Sequence, residues 1–166
     1  MYGIGQRVMY GIHGVCLVAD TEEQVLDGKR VTYLVLTPLS QPGSRFLIPT
    51  HNAAAMGKLH PVLSREELEA LLDSEAVRAD AWIPEENQRK QTYRELIVSG
   101  DRQALLAMVR TLWQHKQAQT RAGRKAHLCD DNFLRDAQKL LADEVAAVLE
   151  VTPEEATRYL HQRLEV

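Results

Sequence analysis

Along the first 58 residues, apolar positions come in short runs broken by turn residues, a pattern of strands rather than helices. Residues 6–10 and 15–19 flank Gly11-Ile12-His13-Gly14, a turn with glycine at both ends. Residues 31–36 form the strongest run, entered through Asp27-Gly28, a dipeptide suited to a type I′ hairpin turn. Residues 45–49 follow a Ser/Pro/Gly loop. Pro49 cannot donate a ladder hydrogen bond, so this strand ends there or lies at a sheet edge. Four or five short strands in so few residues predict a small antiparallel barrel.

From Ser64 the period changes to that of helices. Ser64 and Glu67 are spaced as a capping box, followed by the stripe Leu68, Leu71 and Leu72. Pro84 suits the first position of a second helix, with Glu85 and Glu86 complementing its positive end and Gly100 closing it. Asp101 caps a third helix, in which Leu105, Met108, Val109, Leu112 and Trp113 share one face. A polar loop over residues 119–125 precedes a fourth, for which Asp130 or Asp131 is the expected cap; Phe133, Ala137, Leu140, Leu141, Val145 and Val148 keep the period. Thr152 and Pro153 open a final short helix. The expected fold is α+β: a β domain over residues 1–58, then a helical bundle over residues 59–166.

Composition narrows the class. The 166 residues are 45% hydrophobic and 26% charged, enough apolar material for a core and unlike a disordered chain. No apolar run approaches a membrane span, and Met1 to Gln6 lack the layout of a signal peptide. Cys16 and Cys129 sit far apart without CxxC spacing, so the expected home is a reducing cytoplasm. The net charge of -3 hides a polarity along the chain. Residues 1–77 carry six bases and nine acids, residues 78–125 ten bases and five acids, and residues 126–166 four bases and nine acids. The basic middle third is open to two readings, a phosphate-binding face or a solvated helix face.

Catalytic chemistry finds no foothold. Gly3-Ile4-Gly5 lacks the spacing of a phosphate loop, and the six histidines form no HxxxH or HExxH pair. His127, Cys129, Asp130 and Asp131 are spaced better for a helix entrance than for a metal site. Cys16, in a strand, reads as a small buried hydrophobe. The expectation is no catalytic residue, no metal, no cofactor and no small-molecule substrate. The two tryptophans differ. Trp113 lies on a core stripe, whereas Trp82 sits just ahead of a helix start. Trp82 is either a hydrophobic staple or an exposed aromatic wedge that inserts beside a base, with Arg89, Lys90 and Arg94 neutralising phosphates.

The opening Gly5-Gln6-Arg7-Val8-Met9-Tyr10-Gly11-Ile12-His13-Gly14-Val15 resembles the start of the CarD/CdnL family of bacterial transcription regulators. The likeness continues through Tyr33 to Leu36, Ile48-Pro49, Trp82, Ser99-Gly100-Asp101 and Val109 to Trp113, and reaches the Ala137, Leu140, Glu144 helix. The layout resembles the version found in Firmicutes. The resemblance implies a Tudor-like domain that docks on the β subunit of RNA polymerase, and a helical domain that contacts promoter DNA. It makes Trp82 a minor-groove wedge at the upstream fork of the transcription bubble, with Arg89, Lys90, Arg94, Arg124 and Lys125 as candidate phosphate contacts. Polymerase docking falls to Arg45, Phe46, Leu47 and Ile48. Such a regulator would be cytoplasmic and nucleoid-associated. The chain departs from the family pattern where Ile83-Pro84-Glu85-Glu86-Asn87-Gln88 separates Trp82 from Arg89, and where Gln24 and Leu47 stand in place of arginines. A polymerase- or protein-binding module without DNA contact is the alternative.

Overall fold

The computed structural model describes residues 2–166; residue 1, the start of the expected β domain, lies outside them. The chain divides into two compact units, Met1–Val62 and Leu63–Val166.

The first unit is a five-stranded antiparallel sheet: β1 (Arg7–Tyr10), β2 (Val15–Leu26), β3 (Lys29–Pro38), β4 (Phe46–Pro49) and β5 (Leu59–Pro61), in the order β4-β3-β2-β1-β5. A helical turn, α1 (Ala53–Met56), precedes β5. Asp27 and Gly28 have φ of 51° and 76°, the two positive values that a type I′ turn demands. The hairpin they close is longer than the apolar runs suggest. Its ladder continues through Gln24↔Val31 to Leu26↔Lys29, so polar residues 20–24 are strand as well. The register shifts between Val18 and Asp20, letting Val18 stay inside while Ala19 and Asp20 turn to solvent. Val8, Cys16, Val18, Leu34, Leu36, Ile48 and Leu59 form the core. Cys16 behaves as expected of a buried small residue, its thiol pushed up to about 11 by burial. The unit runs past the expected boundary at residue 58 because β5 pairs with β1, with Tyr10 opposite Leu59 and Val8 opposite Pro61.

The second unit holds α2 (Arg65–Asp73), a 3-10 turn at Glu75–Arg78, α3 (Glu86–Ser99), α4 (Arg102–Arg121), α5 (Leu128–Leu149) and α6 (Pro153–Leu164). Local rules set most of the ends. The expected capping box of Ser64 with Glu67 forms, and the expected Thr152 cap proves to be a second box, with Glu155. Asp101 accepts from Ala104 N–H, and Gly100 adopts the left-handed conformation that ends α3. Two starts differ from expectation. Pro84 lies before the cap of α3, because the Glu85 carboxylate takes the N–H groups of Asn87 and Gln88. Neither Asp130 nor Asp131 caps α5: the helix begins after His127, and Asp130 is drawn inward by Arg89. Leu68, Leu72, Tyr93, Leu106, Met108 and Leu160 are among the side chains sealed in the core. Each such leucine contributes about 1.5–3 kcal/mol. Glu144, 2% exposed, is matched by Arg102 Nε and Nη2 at 3.0 and 2.9 Å and by the Leu63 N–H. Trp113 packs on this core and donates to Gln138 at 2.8 Å.

Candidate functional site

Between the 3-10 turn and α3 the chain has no regular structure, yet side chains of α3 and α4 fix it residue by residue. Ala81 N–H donates to Thr111 Oγ1 at 3.0 Å, and its carbonyl accepts from the Tyr93 hydroxyl at 2.8 Å. Trp82 N–H donates to Asp80 at 2.9 Å. Arg89 Nη1 donates to the Ile83 carbonyl at 3.0 Å and reaches the Pro84 carbonyl at 3.4 Å. Arg89 and Tyr93 are one helical turn apart on α3, so a single face of that helix grips both sides of Trp82.

The indole itself is half-buried. It stacks on His115 with ring centroids 3.6 Å apart and planes 16° off parallel, and Arg89 Cζ lies 4.4 Å from its centroid. Arg89 is held in turn by Asp130, Nε to Oδ1 at 2.9 Å and Nη2 to Oδ2 at 3.2 Å. Around this stack, His127 Nε2 lies 3.2 Å from Glu86, Lys90 pairs with Glu86 at 2.9 Å and Lys116 with Asp131 at 3.4 Å. Burial pulls the His115 imidazole below its ordinary value, opposed by the Asp130 charge and reinforced by the Arg89 charge. The hydrogen bond from Lys90 holds the Glu86 carboxyl low and raises the Lys90 ammonium.

This geometry revises the expected DNA-contact set. Arg89 cannot serve as a phosphate contact: it is 5% exposed, and its guanidinium is committed to Asp130 and two carbonyls. Lys90 reaches the surface but is largely offset by Glu86. Arg94, Arg124 and Lys125 are exposed, without an acidic partner at salt-bridge distance among the described residues; Arg94 rests 6.0 Å above the Phe133 ring. Trp82 does not stand clear of the bundle, and its stack is neither a simple staple nor a free wedge. The sequence reading took Asp130 for a helix cap and gave His115 no role of its own. An acid in the first turn of a helix looks like a cap, and nothing local to His115 announces a partner on a distant loop.

In the β unit, β4 is an edge strand, paired on one side with β3. Leu47 is 37% exposed and Arg45 is exposed in an ion pair with Glu22. Phe46 packs against Tyr10 and His13, with centroids at 5.3 and 4.4 Å. Ile48 is 3% exposed and stands opposite Leu34 of β3, so its side chain belongs to the core and its backbone to the ladder.

The β unit thus offers an edge strand with Leu47 exposed on it, and the helical unit a half-buried aromatic and exposed cations. The sequence matches the CarD-like/TRCF RID domain over residues 2–62 and the CarD C-terminal domain over residues 68–161. That pair of domains, in that order, defines an RNA polymerase-interacting transcription factor, a class of regulators rather than enzymes. The chain belongs to the CarD family. No described helix is long and apolar enough to cross a membrane.

Proposed function

We propose that this chain docks on the β subunit of RNA polymerase through its β unit and stabilises the promoter open complex by contacting DNA at the upstream edge of the bubble. Edge-strand addition at β4 supplies backbone hydrogen bonds, and Leu47 and Phe46 supply apolar contact. In the helical unit, Trp82 wedges into the minor groove where the strands part, and Arg94, Arg124 and Lys125 hold the phosphates. A wedge that fits the opened fork better than closed duplex shifts the equilibrium by that difference in affinity. No bond is made or broken, so the reading needs no catalytic residue, cofactor or small-molecule substrate. The nucleoid is where such a protein would act.

The observation that carries the DNA half is the fixing of residues 81–84 by Thr111, Tyr93 and Arg89, which sets one tryptophan in a single orientation. A module without DNA contact is the second reading, favoured by the pairing of Arg89 with Asp130 and Lys90 with Glu86, which removes charge beside the indole. Co-purification with polymerase tests the first half. For the second, fork binding titrated with salt should give a log–log slope of about -2 to -3 for three phosphate contacts. A flat titration selects the module without DNA contact.

A further inference from the structure

The stack on Trp82 is more specific than a packing contact. A ring centroid 3.6 Å away and nearly parallel has slid little from face-on, since carbon atoms in contact stop at about 3.5 Å. That face of the indole has no room left for a guanidinium whose carbon is 4.4 Å from the same ring. Imidazole and guanidinium therefore take opposite faces. Both are anchored independently of the indole: Arg89 by Asp130 and two carbonyls, His115 by Gln119 at 2.9 Å.

Resting on the DNA reading above, we propose that His115 is a positioning residue for Trp82: with Arg89 it clamps the indole from both sides, so the ring meets the fork with its rim, as a wedge of fixed orientation. A ring so covered does not stack face to face on a base. Its action is to block re-pairing at the junction, which needs rigidity and shape rather than a particular base. The clamp also removes rotamer freedom before DNA arrives, and an unclamped tryptophan would have to lose that freedom on binding. The loop reinforces the same end, because Arg89 holds the Ile83 and Pro84 backbone with the same guanidinium that covers the ring.

The test uses the full chain as wild type, His115→Ala and His115→Phe, the last restoring a flat ring without the imidazole. Without DNA, 15N relaxation of the Trp82 indole N–H, assigned with a Trp113→Phe variant, should report a mobile ring in His115→Ala and a rigid one in His115→Phe. On a forked promoter duplex, His115→Ala should bind about three- to tenfold more weakly, with affinity returning to near wild type in His115→Phe. An indole as rigid in His115→Ala as in wild type overturns the clamp. Fork binding that is unchanged or tightened in His115→Ala also overturns the proposal, since His115 would then be idle or a cover over a base-stacking face. If the wild-type chain does not prefer fork to closed duplex, the DNA reading fails and the proposed role on DNA fails with it. The relaxation data still decide whether the clamp exists.

Discussion

Six of the large apolar side chains left exposed, Ile4, Ile12, Val25, Leu26, Leu39 and Leu47, belong to the β unit, whereas the longer helical unit contributes Val98 and Leu128. The helical unit instead invests in charge. Arg89–Asp130, Arg102–Glu144 and the Arg163 contacts with Glu69 and Asp73 tie its helices together, while Arg94, Arg124 and Lys125 stay open to solvent. An apolar surface beside an unpaired strand edge suits a protein partner, for which backbone groups and exclusion of water do the binding. Exposed cations without an acidic partner suit a polyanion, for which counterion release dominates. On the proposed function, the two halves of one chain carry two chemistries of recognition.

The contrast predicts separable failures. The largest is Asp130→Ala, which leaves a buried guanidinium unpaired and should cost about 3–5 kcal/mol. In urea unfolding followed by circular dichroism at 222 nm, the helical signal should shift to lower denaturant, with the loop holding Trp82 released as well. A variant as stable as wild type would mean that Arg89 finds water or another acid. Next, Leu47→Glu should leave the spectrum unchanged while cutting polymerase retention about tenfold, as loss of one apolar anchor in a strand-addition site does. Retention equal to wild type would move the docking surface off β4. Replacing Arg124 and Lys125 together by alanine should lower the salt slope of fork binding by about 2 without altering polymerase capture. An unaltered slope would show that those cations never meet phosphate.

The smallest effect is on pH. Burial lowers the pKa of His115 and of His161 in the folded chain, so the unfolded chain takes up protons first as pH falls below about 6.5. Helical stability should therefore drop between pH 7 and pH 5.5, less steeply in His115→Phe. An identical drop in both would exclude His115 as a source.

Most of the architecture was legible in local chemistry. Ser64, Asp101, Thr152 and Gly100 act where a cap rule places them, and Asp27-Gly28 turns the hairpin as that dipeptide does elsewhere. What the sequence could not disclose depends on long-range geometry. Residues 20–24 are polar and fall outside the apolar runs that mark strands, but the Asp27-Gly28 turn sets a register that extends the ladder through them. Asp130 carries the right chemistry for a cap and is taken instead by an arginine 41 positions away. Arg89 counted as a cation beside Trp82; burial turned it into part of the support. Trp82 was singled out in the sequence, while its stacking partner His115 lies on a helix 33 positions away with no linear cue.

The lifetime of a promoter open complex, measured after a competitor challenge with purified polymerase, tests the central claim most directly. Adding the wild-type chain should lengthen that lifetime several-fold, and Trp82→Ala, folded and still retained by polymerase, should abolish most of the gain. A Trp82→Ala chain that prolongs the open complex as well as wild type would contradict the account.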